Sequence, residues 1–239
     1  MVESGATGPS GRRRAQLKAG RLPLAVSALT WLLLFAVVAV VTLTSLPSHG
    51  LFWARMMPWL LARSSALAAF LVLTAAVMLG VLLSHPQNLS EWKFSKIMIV
   101  WHRYLTVLAV GLIVLHVGAI VLDSYARVGF FGALVPGLSL YRTIPVALGT
   151  VALYGIALLA VTAGNPRLLG GARWLKIHRL GVVVFALVWV HGVLTGTDTL
   201  SLRLLYILSG LGVLTAYAGR WWVDRRLPQR GEAATPTNR

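Results

Sequence analysis

The sequence predicts an all-α integral membrane protein: a six-transmembrane-helix bundle with both termini cytoplasmic. Three observations predict it. The first is composition, since 57% of the 239 residues are hydrophobic and 12% are charged, a balance outside the usual range of soluble domains. The second is a set of six apolar stretches, at about 23–46, 65–84, 97–122, 143–163, 177–197 and 203–223, each long enough to cross roughly 30 Å of hydrocarbon as a helix. The third is the placement of positive charge. Counted together with the adjoining span ends, Lys and Arg number 5, 3, 4 and 5 at the N-terminal segment, the loop before the third span, the loop before the fifth and the tail, against 2, 2 and 1 at the other loops. Positively charged loops resist translocation, so 17 against 5 puts both ends of the chain on the cytoplasmic side.

The breaks between spans carry turn chemistry. Pro47-Ser48-His49-Gly50, His85-Pro86-Gln87-Asn88, Pro136-Gly137, Gly164-Asn165-Pro166 and Gly196-Thr197-Asp198 are sequences in which helices stop. Arg12, Arg13 and Arg14 precede the first span as they would in a signal peptide, but the apolar run is too long and no small-residue cleavage site follows, so it reads as a retained anchor helix. Trp53, Trp59, Trp92, Trp101, Trp174, Trp221 and Trp222 fall near span ends, where an amphipathic ring is favoured at headgroup level. The basic segment 1–20 and the tail 227–239 are rich in Gly, Pro, Thr and Arg and are expected to be disordered. Residues 21–226 form the membrane domain, and a multi-pass protein of the cell (plasma) membrane is expected.

Charge and cysteine usage exclude several classes. The formal charge of +16 is spread in short runs between apolar segments rather than gathered on one face, so it reports topology and not nucleic-acid binding; the partner it implies is the lipid bilayer. With no cysteine, disulfides, iron–sulfur clusters, thiolate metal sites and covalent c-type haem attachment are impossible.

Four of the six histidines lie inside expected spans: His102 and His116 on the third, His178 and His191 on the fifth. An imidazole in the membrane interior is costly without a partner, so it marks function by default. The first pair is 14 residues apart, which returns to within about 40° of one face and climbs about 21 Å. The second is 13 apart and climbs about 19 to 20 Å. Because the two spans run in the same direction, His102 can face His178 near the cytoplasmic side while His116 faces His191 near the outer side. Each facing pair suits a planar macrocycle held edge-on between helices, with one axial ligand from each side. Thirteen residues leave His191 about 140° from the face of His178 on an ideal helix, so a distorted turn is expected in the fifth span, where Gly181 and Gly192 permit one. Convergence on one zinc ion is excluded by distance. A proton relay lacks Asp or Glu in mid-span. Hydrogen-bonded packing histidines are the remaining alternative, and His49 and His85, in turn sequences, read as solvated bystanders.

Neighbouring residues extend the pattern. Thr106, Ala109 and Ile113 share the histidine face of the third span, and their small or medium size leaves room for rings; Val182, Phe185 and Trp189 continue the stripe from His178. Phe185 or Trp189 would fill the space between two macrocycles, or simply pack. Arg103 and Arg179 directly follow His102 and His178; a guanidinium is a two-pronged donor for carboxylates such as haem propionates, and equally an ordinary positive-inside flank. Asp123 and Asp198 each come seven residues after the outer histidine of their span, and they are two of six acidic residues. Pairing with Arg127 or Arg203 is one account; attraction of a cationic acceptor such as ferric iron is the other.

The segments WHRYLTVLAVGLIVLHV (101–117) and WLKIHRLGVVVFALVWVHGVLTGTDT (174–199) resemble the third and fifth helices of the ferric reductase-like transmembrane domain family. That family includes the membrane cores of NADPH oxidases, metalloreductases and the haem-binding subunit of a bacterial methionine sulfoxide repair system. SLYRTIPVALGTVALYGIALLAVTA (139–163) resembles its fourth helix, and the likeness spans about residues 60–222. The resemblance implies two b-type haems with His102, His116, His178 and His191 as axial ligands to iron, in an oxidoreductase component that carries electrons outward. Larger relatives continue into a flavin and nicotinamide domain, whereas 17 residues follow Trp222 here, and Gly210 and Gly212 sit in an apolar span without the strand and turn of a dinucleotide fingerprint. No FAD or NAD(P) domain is therefore expected in this chain. The expected donor is a separate flavoprotein or a membrane quinol, and the acceptor is extracytoplasmic.

Overall fold

The computed structural model describes residues 55–84, 93–170 and 172–226. Their regular structure is helical throughout: α1 (Arg55–Leu83), α2 (Lys93–Leu122), the short α3 (Gly129–Leu134), α4 (Thr143–Gly164), a 3-10 turn (Pro166–Leu169), α5 (Ala172–His178), α6 (Gly181–Thr195) and α7 (Arg203–Arg226). Four segments are long and apolar enough to cross a membrane: Arg55–Leu83, Ser95–Leu122, Thr143–Gly164 and Arg173–Thr195, the last made of α5 and α6. They correspond to the second to fifth expected spans. The first, at 23–46, lies outside the described residues, as do the turns at 47–50 and 85–88 and both terminal segments. The sixth is helix α7, but its uncharged run between Arg203 and Arg220 is 16 residues, about 24 Å of helix, short of the ~30 Å hydrocarbon core.

Helix ends follow the turn chemistry. α4 stops at Gly164, and Asn165 and Pro166 lead into the 3-10 turn; α6 stops at Gly196. Gly137, at φ +89°, sits in the left-handed region that glycine tolerates. α1 is already helical at Arg55, ten residues before the expected 65. The longer helix carries Trp59 inward, where it is buried against Tyr125, Tyr141 and the guanidinium of Arg63. Trp59 is thus an interior residue and not an interface anchor, whereas Trp101, Trp221 and Trp222 are exposed.

Two antiparallel pairs organise the bundle. On α1 and α2, Ala76 meets His102 and Ala62 meets His116. On α4 and α6, small residues bring the helices close: a Cβ on Gly155 would lie 2.8 Å from Val184 and one on Gly149 2.5 Å from His191. Without a hydrophobic drive between helices in lipid, close backbone approach of this kind supplies the packing attraction. Phe70 of α1, Phe185 of α6 and Val213 of α7 form the buried centre, with the two rings stacked 6.0 Å apart. Outward faces carry exposed Ile99, Val114, Leu122, Ile144 and Val161, as acyl-chain contact requires. At one end, Arg220 Nε donates to Ser84 O at 3.0 Å, tying α7 to the end of α1.

Candidate functional site: two levels of paired histidines

The turn between α5 and α6 settles how the fifth span aims its histidines. Leu180 N–H donates to Ile177 O at 2.9 Å, a tightened three-residue step, and Arg179 and Leu180 form a turn that interrupts the α-helix beside Gly181 while Leu180 keeps right-handed dihedrals (φ −65°, ψ −8°). The distortion anticipated from the spacing of 13 is there. His178 meets His102 of α2, and His191 shares a cavity with His116 of α2. The rings of His102 and His178 lie 6.0 Å apart with planes at 85°, and His116 and His191 line one cavity of about 510 Å³. The structure therefore brings together the two pairs expected, at levels about 21 Å apart along α2.

Three of the four rings are fixed by backbone carbonyls. His102 Nδ1 bonds Ala76 O at 2.9 Å, His116 Nδ1 bonds Ala62 O at 2.8 Å and His191 Nδ1 bonds Pro145 O at 2.8 Å. A carbonyl only accepts, so each Nδ1 carries the proton and each Nε2 keeps its lone pair for a metal. The fourteen-residue step from His102 to His116 is matched by a fourteen-residue step back from Ala76 to Ala62. A helical side chain leans toward the N-terminus and covers the carbonyl four residues before it. At the three carbonyls used, the covering positions are Gly80, Ala66 and Gly149, which leave the oxygen open. A Cβ on Gly80 would come 3.1 Å from His102 Cε1. His178 differs: its Nδ1 is buried without a hydrogen-bond partner, and its ring packs beside Trp174 at 5.6 Å.

Between the two levels stands the Phe70–Phe185 stack. Phe70 lies between Ala62 and Ala76 on α1, and Phe185 lies near the midpoint of His178 and His191 on the fifth span. Trp189 turns instead toward α7, donating its indole N–H to Tyr206 O at 2.8 Å.

The cavity around His116 and His191 also has Arg63, Tyr141, Thr197 and Asp198 in its wall. Arg63 and Asp198 form an ion pair, so neither Arg127 nor Arg203 is the partner that Asp198 takes. Asp123 is buried; its Oδ2 accepts the Ala126 N–H at 2.6 Å and its Oδ1 has no hydrogen-bond partner. Arg103 and Arg179 are exposed and outside this cavity wall. Among the described residues no three His, Cys, Asp or Glu side chains gather for one metal ion; the histidines meet in twos. Sequence reasoning passed over Arg63, counted as loop charge, and over Phe70 and the carbonyl anchors. The small residues Ala66, Gly80 and Gly149 were the available signal.

An apolar bundle with four helices long enough to cross a membrane and histidines paired at two levels defines an integral membrane protein. The family model described as ferric reductase like transmembrane component matches residues 65–195, more than half of the chain, and the chain belongs to that family. No curated protein and no solved structure matches it.

Proposed function

We propose that the protein moves electrons across the membrane through two noncovalently held b-type haems, one between His102 and His178 and one between His116 and His191. The observation that carries this reading is the pairing of four imidazoles at two depths, three with Nδ1 anchored and Nε2 free. The residues present fit the group. The 6.0 Å between the His102 and His178 ring centres matches two metal–nitrogen bonds of about 2 Å plus the depth of each ring. Bis-imidazole donation without thiolate is the ligand chemistry of b-type electron carriers, and family membership supports the same reading.

Haem, when bound, supplies one-electron chemistry; the chain's own residues hold, orient and seal. Backbone carbonyls fix the imidazole tautomers and raise their donor strength. Phe70 and Phe185 keep water from the space between levels. Arg103 and Arg179 beside the first pair, and Arg63 in the wall of the second site, are the proposed contacts for haem carboxylates. With the positive-inside orientation, electrons enter at the His102 level from a flavoprotein or a quinol and leave at the His116 level to an extracytoplasmic acceptor, which makes the chain the membrane component of an oxidoreductase in the plasma membrane.

Haem stoichiometry of the purified protein tests this. Two haems per chain by pyridine haemochrome, with a reduced-minus-oxidised spectrum of low-spin b type, are expected, and one haem is lost in His116→Ala. Protein that remains colourless when expressed with ample haem overturns the reading; one haem per chain reduces it to a single centre.

A further inference from the structure

His178 differs from the other three imidazoles in how it is held. His102, His116 and His191 give their Nδ1 protons to backbone carbonyls at 2.9, 2.8 and 2.8 Å, whereas the His178 Nδ1 is buried with no hydrogen-bond partner. The elements that carry the rings differ in the same direction. His102 and His116 sit within the 30 residues of α2, and His191 sits within α6, which α4 approaches closely at Gly149 and Gly155. His178 is the last residue of α5, a helix of 7 residues with a 3-10 turn before it and the Arg179–Leu180 turn after it. Arg173, Leu175 and Lys176 of that helix are exposed. The aromatic neighbour of the His178 ring on its own helix is Trp174, at 5.6 Å, one turn back, so this contact travels with the ring and does not tie it to another helix.

We propose that His178 is an exchangeable ligand, which makes the His102/His178 level a binding site for a small neutral π-acceptor such as carbon monoxide and leaves the His116/His191 level closed to it. The inference rests on the haem reading above and names a ligand class for one of its two sites. A hydrogen bond from Nδ1–H fixes a ligating imidazole in orientation and raises its basicity, and loss of such a partner typically costs about 10–100-fold in metal affinity. His178 lacks that partner from the start. The exchange is redox-neutral: the lone pair of His178 Nε2 leaves the iron, the carbon lone pair of carbon monoxide takes its place, and the freed imidazole stays neutral on α5. A ligand that binds only the reduced centre stabilises that form, so its occupancy holds an electron at the first level. An unsatisfied buried ring N–H costs stability and is rare enough to call for a reason; a ligand able to leave is that reason.

Optical titration of the dithionite-reduced holoprotein with carbon monoxide tests the role of His178. One of the two haems is expected to convert at carbon monoxide concentrations at least about 10-fold below those that affect the other. In stopped flow its rate should level off as carbon monoxide rises, because departure of His178 becomes limiting. His116→Ala and His191→Ala, which empty the other level, should each keep the haem that binds, at one carbon monoxide per haem. His178→Ala should keep that haem on the anchored imidazole of His102 and bind carbon monoxide at a rate that rises in proportion to its concentration. Conversion of both haems at the same concentration, or of neither, overturns the proposal, as does loss of binding in His116→Ala and His191→Ala. A rate that still levels off in His178→Ala also overturns it, and so does loss of haem from His178→Ala as complete as that from His102→Ala. A wild-type protein without two haems removes the proposed function itself, and that result is read from stoichiometry before any gas is added.

Discussion

Gly149 lies under the imidazole of His191, so near that a methyl group on its Cα would come within 2.5 Å of Nδ1. The same nitrogen bonds Pro145 O, one turn earlier on α4. Gly149→Ala must therefore push the ring off its carbonyl or force α4 and α6 apart, and tightly packed interiors resist both. On the proposed two-haem reading, the variant is expected to lose the haem of the His116 level and keep the other, by pyridine haemochrome. Gly80→Ala, with a 3.1 Å approach to the far edge of His102, should keep both haems.

Ala66 is the residue that leaves Ala62 O open to His116. Ala66→Leu would drape a long side chain over that carbonyl and intrude on the cavity wall it belongs to. Loss of one haem is expected, whereas Ala66→Gly should leave the haem-to-protein ratio at the wild-type value.

The Phe70–Phe185 stack is both packing and a screen between levels. Phe185→Ala opens a cavity in the buried centre and is expected to cost about 3–5 kcal/mol in reversible unfolding in detergent. Phe185→Leu fills most of that volume and should retain both haems. In rapid-mixing reduction, its second haem is expected to be reduced more slowly than in wild type, by loss of the aromatic bridge.

The two outer carboxylates should separate cleanly. Asp198 is half exposed in its pair with Arg63, and exposed ion pairs contribute about 0–1 kcal/mol, so Asp198→Asn should barely move the melting temperature. If its charge draws a cationic acceptor, that variant reduces cationic ferric complexes more slowly and neutral acceptors at the wild-type rate. Asp123 is buried and accepts a backbone N–H. Asp123→Ala leaves that donor unpaired and is expected to cost about 1–3 kcal/mol, measured by thermal unfolding.

Particular residues show what could be read in advance. Helices end at Gly164 and Gly196 because those sequences carry local turn chemistry that neighbours do not alter. The spacing of His178 and His191 left them facing different ways unless the fifth span is distorted, and the α-helix is interrupted at Arg179 and Leu180, beside Gly181. Arg63 was legible only as a charge near a span end. A helix already formed at Arg55 places it in a cavity wall opposite Asp198, a partner distant in sequence that no local pattern announces. Trp59 was misplaced for the same reason, since its tertiary neighbours bury it.

Composition, charge placement and histidine spacing by themselves determined a helical membrane protein with imidazoles at two depths, because helical rise and the cost of polar groups in lipid depend on little beyond the local chain. Which carbonyl holds which imidazole was decided by the tertiary structure alone. Every residue offers a carbonyl, so the choice among them depends on helix register and on a small side chain four positions later. Ala62, Ala76 and Pro145 meet both conditions, and His178 is left with a buried Nδ1 that has no partner.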